Sequence, residues 1–345
     1  MDLEPPTASE LRDLIAAALR FRDAAPWKTV ADDRIFGVLD RTRGEIVYVS
    51  ILGQGGLVRG LTLYPGARGL MTLNRIQFDR LPAEPDDLLV EMRSIVCMFV
   101  PAAMATPDDR KLLRESGVVS VRAKLLPQFV SYEPGYAPWT VSGAEARLLT
   151  ICIDQALVMA RELAADPDLL EVDHPARHLV RVPAGAPGEE EWVSQWRSRP
   201  LTRDVRPPGL DEVTLARLAQ LRRDSTAEWE VDAFTGLGVI AETRSTRPRV
   251  LRTLMILDRS SNYIHAADPI EAPDLVAGVT ARFARHALQI GCSPKRILVR
   301  DYTLRILLAP VAKAMGCKLL RLGYLPGIEA AREDMLARMG SGESR

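Results

Sequence analysis

The stretch that decides the fold of the N-terminal half is IFGVLDRTRGEIVYVSILGQGGLVRGLTLY, residues 35–64. Three runs rich in β-forming residues are separated by turn-forming stretches at 40–44 and 53–56. This pattern predicts a β-hairpin continued by a third antiparallel strand. A further apolar run, SIVCMFV at 94–100, predicts a buried strand.

Helices are predicted on both sides of these strands. Thr7 with Glu10, and Ser142 with Glu145, have the spacing of capping boxes, in which a hydroxyl and a carboxylate three residues apart satisfy the first backbone amides of a helix. The apolar periodicity behind each pair predicts helices over 7–23 and 142–165. The N-terminal half is therefore predicted to be an antiparallel meander with helices.

The C-terminal half has a different order of elements. The run VLRTLMIL, 250–257, is followed by a turn at 258–262 and a second extended run, 263–267. A helix from Pro273 to Ile290 then precedes alternating strands and helices. This order predicts βαβ units and a mixed sheet with parallel members. The whole chain is thus predicted to be an α/β (α+β) protein.

Composition suggests where the domains end. Residues 166–208 are rich in Pro, Gly and acidic residues, and Trp192, Ser194 and Trp196 alternate as in a short strand. We therefore predict an N-terminal domain over 1–165, a connector over 166–208 and a C-terminal domain over 209–345.

The overall composition excludes several classes of protein. The chain has 345 residues, of which 47% are hydrophobic and 26% charged, so it is not a disordered, collagen-like or coiled-coil protein. No apolar run reaches the length needed to cross a bilayer, and the start, MDLEPPTASE, is acidic and lacks a signal segment. These features predict a cytoplasmic protein with no membrane contact. The widely spaced cysteines are predicted to be buried thiols in a reducing compartment: Cys97, Cys152, Cys292 and Cys317.

Two patterns that could indicate ligand binding have simpler interpretations. The glycines at 53, 55, 56 and 60 do not fit the dinucleotide fingerprint, and no helix is predicted after them, so they are interpreted as a tight hairpin turn. His174 and His178 lie four residues apart, but Pro175 between them argues against a helical metal pair. Both histidines are predicted to be solvated loop residues.

The acidic residues of the C-terminal half could form a metal site. Asp258 and Asp301 each follow an apolar strand, and parallel neighbouring strands would bring both carboxylates to one edge of the sheet. With Glu329, Glu333 or Asp334 as a third acid, they could hold two Mg²⁺ ions for phosphodiester cleavage. However, VLDRT at 38–42 is similar to ILDRS at 256–260. Asp40 and Asp258 could therefore both be ordinary hairpin-turn residues.

The basic residues of the C-terminal half could form a binding surface. Residues 206–345 contain 21 Lys and Arg against 16 Asp and Glu. Four arginines have alternating spacing around a predicted strand: Arg244, Arg247, Arg249 and Arg252. They could bind phosphate or pair with acidic protein surfaces. Because aromatic residues do not interleave with them, an intramolecular or protein partner is favoured over nucleic acid.

Two resemblances bear on function. A set of residues in the N-terminal half resembles the sequence pattern of a family of uncharacterised bacterial cytoplasmic proteins, known only as a domain of unknown function. The residues are Trp27, Asp33, 35–38, Asp40, Thr42, 44–45, 48–50, Gly53, 60–61, Tyr64, Gly66 and 69–70. The similarity extends more weakly over 229–231, Pro248, Asp258 and 294–299. Some members of that family carry a Cys/His zinc-binding tail. This sequence ends in GSGESR, so the resemblance implies no metal here.

The second resemblance covers residues 250–335, whose element order is similar to the ribonuclease H-like core of nucleases and integrases. In that core a first strand carries an Asp, and a helix, a strand with a second Asp and a late acidic helix follow. The resemblance implies Asp258, Asp301 and Glu329 as catalytic residues and Mg²⁺ as cofactor. One strand is missing from this pattern between Asp258 and the first helix.

The sequence predicts a non-catalytic binding or regulatory module with a protein or small-molecule ligand and no cofactor. This expectation rests on the incomplete catalytic patterns described above. The alternative is a divalent-metal nuclease, or a degenerate ribonuclease H-like domain, acting on nucleic acid.

Overall fold

The computed structural model describes residues 4–56, 58–78, 88, 90–117, 124–171, 176–185, 191–200, 206–243 and 245–340. The chain divides into two compact units, the first consisting mainly of residues up to 202 and the second mainly of residues from 203 onward. Each unit has a mixed β-sheet, so the predicted α/β class is confirmed.

The elements found in the described residues are as follows. The helices are α1 (Ala8–Ala24), α2 (Gly66–Gln77), α3 (Pro107–Ser116), α4 (Gly143–Ala165), α5 (Glu212–Ala219), α6 (Leu275–Ile290), α7 (Tyr302–Ala314) and α8 (Pro326–Gly340). The strands are β1 (Phe36–Asp40), β2 (Glu45–Leu52), β3 (Gly60–Pro65), β4 (Ser94–Pro101), β5 (Leu125–Tyr132), β6 (Arg177–Ala184), β7 (Glu191–Ser198), β8 (Arg222–Ile240), β9 (Arg249–Asp258), β10 (Tyr263–Glu271), β11 (Cys292–Val299) and β12 (Lys318–Arg321).

Side-chain caps begin the helices where the sequence predicts them. The Thr7 hydroxyl accepts a hydrogen bond from the Glu10 amide at 3.3 Å, and the Glu10 carboxylate accepts one from the Thr7 amide at 2.8 Å. Ser142 and Glu145 form the same reciprocal pair at the start of α4. Both predicted capping boxes are confirmed. They satisfy amides that would otherwise have no partner in the first turn.

The sheet of the first unit has the order β5-β4-β3-β2-β1-β6-β7. Strands β1 to β5 pair antiparallel in sequence order, which confirms the predicted meander and extends it by two strands. Strand β6 then adds parallel to β1, and β7 pairs antiparallel with β6. The segment predicted as a connector, 166–208, therefore contributes two strands to this sheet rather than one isolated strand.

Helices α1 and α4 pack on one face of this sheet and enclose the main core of the first unit. Phe21 on α1 and Phe99 on β4 both contact Trp27, with ring centroids 5.7 Å apart in each pair. Helix α2 packs on the other face through Leu70 and Leu73. Because both faces are covered, the central strands are buried along most of their length.

The sheet of the second unit has the order β10-β9-β8-β11-β12. Strands β8, β9 and β10 are antiparallel neighbours, whereas β11 is parallel to β8 and β12 is parallel to β11. Helices α6 and α7 pack on one face around Trp229, and α8 packs on the other around Met255. Strand β8 runs from Arg222 to Ile240, with an irregularity in its pairing with β9 between Thr235 and Val239.

A short segment departs from the predicted domain limits. Residues 134–137 belong to the second unit, because Ala137 donates to the carbonyl of Pro248 at 2.9 Å and Gly135 accepts from Val250 at 3.0 Å. Helix α5 ends at Ala219, and β8 begins three residues later. Among the described helices, none combines the length and hydropathy that a membrane span requires.

Candidate functional site

Asp258 is a turn residue at the end of β9. Its Oδ1 accepts hydrogen bonds from the amides of Ser260 and Ser261 at 3.1 and 2.9 Å, and from both hydroxyls. Partial burial raises the pKa of this carboxyl. The hydrogen bonds from Ser260 and Ser261 together lower the pKa by more than burial raises it, so the pKa lies below its ordinary value. Asp40 accepts from the amides of Thr42 and Arg43 in the same manner. The hairpin-turn interpretation of both aspartates is confirmed.

Asp258 and Asp301 do not meet at one sheet edge. Strand β8 lies between β9 and β11, and β9 runs antiparallel to it. Asp258 is level with Trp229 and therefore with Ile297, whereas Asp301 lies beyond the end of β11. Asp301 instead caps α7, accepting from the Leu304 amide at 2.7 Å. The predicted convergence of these two carboxylates is wrong because β9 is neither parallel nor adjacent to β11.

Replacing Asp258 by alanine is expected to lower the free energy of unfolding by about 1 kcal/mol, the typical cost of a lost side-chain cap. The turn loses the acceptor shared by Ser260 and Ser261. Urea denaturation of the wild type and the variant measures this change. An unchanged midpoint would show that the turn forms without the carboxylate.

A buried acid cluster lies where β8, β11 and α8 meet. The two terminal nitrogens of Arg300 bind Asp232 Oδ2 at 2.8 Å and Glu329 Oε1 at 2.7 Å. The exposed fractions of the Arg300 and Asp232 side chains are only 9% and 3%. Arg332 approaches the other oxygen of Glu329 at 3.5 Å. We call these residues, Asp232, Arg300, Glu329 and Arg332, the arginine-closed cluster.

Glu230, two residues before Asp232 on β8, extends this arrangement. Its side chain is fully buried, and its Oε2 accepts from the Ile328 amide at 3.0 Å, in the first turn of α8. The Nε of Arg259 lies 3.5 Å from its other oxygen. The carboxylate therefore supplies a cap and a favourable charge at the start of α8, while an arginine balances it.

The structure brings only Glu329 of the three predicted acids into a cluster, and sequence reasoning missed Asp232, Glu230 and Arg300. A signal was present, because WEVDAF at 229–234 places two acids at alternating positions of an apolar strand. Such acids are buried on one face and need partners. Their partners follow β11 and lie on α8, far away in sequence. No group of three or more His, Cys, Asp or Glu residues suited to a metal occurs within the described residues.

Each of the two compact units contains a region that matches a different family model. Residues 12–181 match the family model described as Domain of unknown function (DUF7309). Residues 214–336 match the model described as Domain of unknown function (DUF6930). The chain joins two domains of unknown function. No curated protein and no solved structure matches it.

In the DUF6930 region, the arginines that the sequence suggested as a binding surface form hydrogen bonds and ion pairs within the chain. Arg247 and Arg252 are buried and donate to the carbonyls of Ala137 and Ala233 at 3.0 and 2.8 Å. Arg249 pairs with two glutamates, Glu242 and Glu271. Arg244 lies outside the described residues. The three described arginines thus have partners within the chain, one of the two kinds of partner that the sequence favoured.

In the DUF7309 region, His178 is buried and not a solvated loop residue, so that prediction is wrong. It lies on β6, an interior strand of the sheet, and its ring contacts Tyr48 at a centroid distance of 4.9 Å. Burial, with a smaller contribution from the charge of Arg199, lowers the pKa of His178 to about 4. Its Nε2 and the Tyr48 hydroxyl are both buried, and neither has a hydrogen-bond partner among the described residues. His174 lies outside the described residues.

The cysteines agree in part with their prediction. Cys97 and Cys152 are buried in the core of the first unit, and burial raises the pKa of both thiols above the ordinary value. Cys292 and Cys317 are half-buried free thiols in the DUF6930 region.

Proposed function

We propose that this protein is a non-catalytic binding or regulatory module whose ligand is a protein or a small molecule. It would act without a cofactor, in the bacterial cytoplasm. The arginine-closed cluster carries this proposal, because the only predicted catalytic acid that joins a buried acid cluster is already bound to a guanidinium group.

Arg300 occupies the place between two carboxylates that a divalent cation would need. Its two terminal nitrogens bind one oxygen of Asp232 and one of Glu329, both within 2.8 Å. A metal ion there would have to displace a buried cation from two close ion pairs, which is costly. Asp301 is the nearest further acid in sequence, and its Oδ1 caps α7. The donor set therefore does not fit Mg²⁺ as it stands.

The alternative is a divalent-metal nuclease, and one observation favours it. With β8 as the first strand, three antiparallel strands precede α6, followed by β11, α7, β12 and α8. Asp232 then lies on the first strand and Glu329 on the late helix. When Asp258 is taken as the first acid, the ribonuclease H-like pattern lacks one strand; with Asp232 as the first acid, that strand is present. The closure of these acids by Arg300 favours a degenerate form over an active enzyme.

A cleavage assay separates the two functions. Labelled single- and double-stranded DNA and RNA would be incubated with Mg²⁺ or Mn²⁺ and either the wild type or Asp232→Asn/Glu329→Gln. We expect the wild type to leave all four substrates intact. Cleavage by the wild type that disappears in this variant, but persists in the control Asp258→Asn, would overturn the non-catalytic proposal.

A further inference from the structure

A cleft in the DUF7309 region has the charge and shape of an anion-binding site. It encloses about 440 Å³ between the end of α1 and the loop joining β2 to β3. Its lining includes Arg22, Lys28 and Arg59 but neither an aspartate nor a glutamate, and Gln54 is its other polar side chain. The positive charges of these side chains attract an anion to the cleft, most strongly at low ionic strength.

Two of the three cations are not used by the surrounding structure. Lys28 and Arg59 are exposed and form no ion pair within the part of the chain that the structure describes. Arg22 pairs with the exposed Asp23 at 2.8 Å and is itself about one quarter exposed. The cleft thus presents two available cations and a third that shares its charge with an acid outside the lining.

One wall of the cleft, at Trp27 and Gly53, is closely packed. Trp27 lies in its lining and is only 6% exposed, packed between Phe21 and Phe99. Gly53 lies so close to Trp27 that a Cβ there would come within 2.8 Å of the Trp27 Cβ, and its φ of +141° suits glycine. Such preorganised walls reduce the entropy lost when a ligand binds.

The loop joining β2 to β3 forms part of the cleft, but its amides at Gly53 and Gln54 are not available to bind an anion. The amides of Gly53 and Gln54 both donate to Asp32 Oδ1, at 3.1 and 3.2 Å. This carboxylate of the chain already occupies the loop amides that a phosphate-binding loop would offer to its ligand. Recognition is therefore left to the side chains of Arg22, Lys28 and Arg59.

We propose that this cleft binds a multivalent oxyanion of the phosphate class, as an inorganic phosphate or as the phosphoryl group of a small molecule. Arginine binds phosphoryl oxygens through its planar fork and lysine binds them as a point charge, so the three cations of the cleft suit a multiply charged anion. The site lies in the first unit and is independent of the arginine-closed cluster. It gives the proposed binding function a ligand class, and a negative result here leaves the cleavage assay unaffected.

Calorimetric titration of inorganic pyrophosphate into the whole protein at low ionic strength tests this site. We expect one anion per chain, and binding at least about tenfold weaker in Lys28→Gln/Arg59→Gln, which removes two charge-assisted contacts. The matched control is Arg12→Gln/Arg68→Gln, which removes two exposed positive charges elsewhere in the same unit. The control is expected to bind within about twofold of the wild type, since distant exposed charges contribute little.

Three outcomes would overturn the proposal. They are the absence of pyrophosphate binding to the wild type, an equal loss of affinity in both double variants, and tighter binding of citrate than of pyrophosphate. Thermal unfolding of all three proteins shows whether they are folded. If Lys28→Gln/Arg59→Gln is unfolded, the single variant Lys28→Gln, with Arg12→Gln as its control, takes its place.

Discussion

Replacing Arg300 by methionine is expected to lower the free energy of unfolding by about 3–5 kcal/mol, the usual cost of removing one partner of a buried ion pair. The substitution keeps most of the apolar volume but removes the guanidinium group that lies 2.8 Å from Oδ2 of the buried Asp232. Glu329 retains its more distant contact with Arg332, at 3.5 Å. Urea denaturation followed by tryptophan fluorescence and circular dichroism measures the change.

A double variant tests whether the loss of stability comes from the charge of Asp232. Asp232→Asn/Arg300→Met removes both charges, so it is expected to be less destabilised than the sum of the two single variants, with a coupling of 0.5–3 kcal/mol typical of contacting residues. Arg332→Met, which removes the second guanidinium group of the cluster, serves as a comparison. A loss below about 1 kcal/mol in Arg300→Met would mean that the cluster is not closed by Arg300.

The wild type is expected to lose about 3 kcal/mol of stability between pH 6.5 and pH 4 through His178 alone, since each pKa unit corresponds to about 1.4 kcal/mol. The pKa of His178 is about 4 in the folded protein and near 6.5 in the unfolded chain. As the pH falls through this window, the unfolded chain binds the proton and the folded chain does not. Protonation therefore favours unfolding, and stability falls with falling pH.

The variant His178→Gln isolates this contribution. It cannot titrate, so the difference in unfolding free energy between wild type and variant should shrink by about 3 kcal/mol from pH 7 to pH 4. Other titrating groups are common to both proteins and cancel in the comparison. A difference that stays constant over this range would mean that His178 titrates as an ordinary exposed histidine.

The sequence predicted those parts of the fold that depend on neighbours along the chain. The capping pairs Thr7/Glu10 and Ser142/Glu145 and the turn at Asp40 each involve residues two or three positions apart. Their hydrogen bonds form in the same way whatever the rest of the chain does. For the same reason, the similarity between the turns at Asp40 and Asp258 was predictable and is confirmed.

Pairings between distant strands could not be predicted in the same way. Strand β6 adds parallel to β1 across about 140 residues, and this pairing turns His178 from an expected loop residue into a buried one. Strand β8 lies between β9 and β11, which separates Asp258 from Asp301. Both corrections concern strand order, which the hydrophobic pattern of a single segment does not specify.

The candidate site shows the same division. The alternation of Glu230 and Asp232 within an apolar strand was visible in the sequence, but their arginine partners were not. Arg300 follows β11 and Arg259 lies in the turn after β9, so these contacts exist only once the sheet order is known. Of the acids that the sequence suggested as metal ligands, Glu329 is paired with Arg300, whereas Asp258 and Asp301 accept hydrogen bonds in a turn and at a helix start.

Titration of Mn²⁺, followed by electron paramagnetic resonance of the free ion, tests most directly whether Arg300 holds the place of a metal. Titrations would compare the wild type with Arg300→Ala and Asp232→Asn. We expect the wild type to leave the signal of free Mn²⁺ undiminished. One Mn²⁺ bound per wild-type chain, and lost in Asp232→Asn, would contradict it.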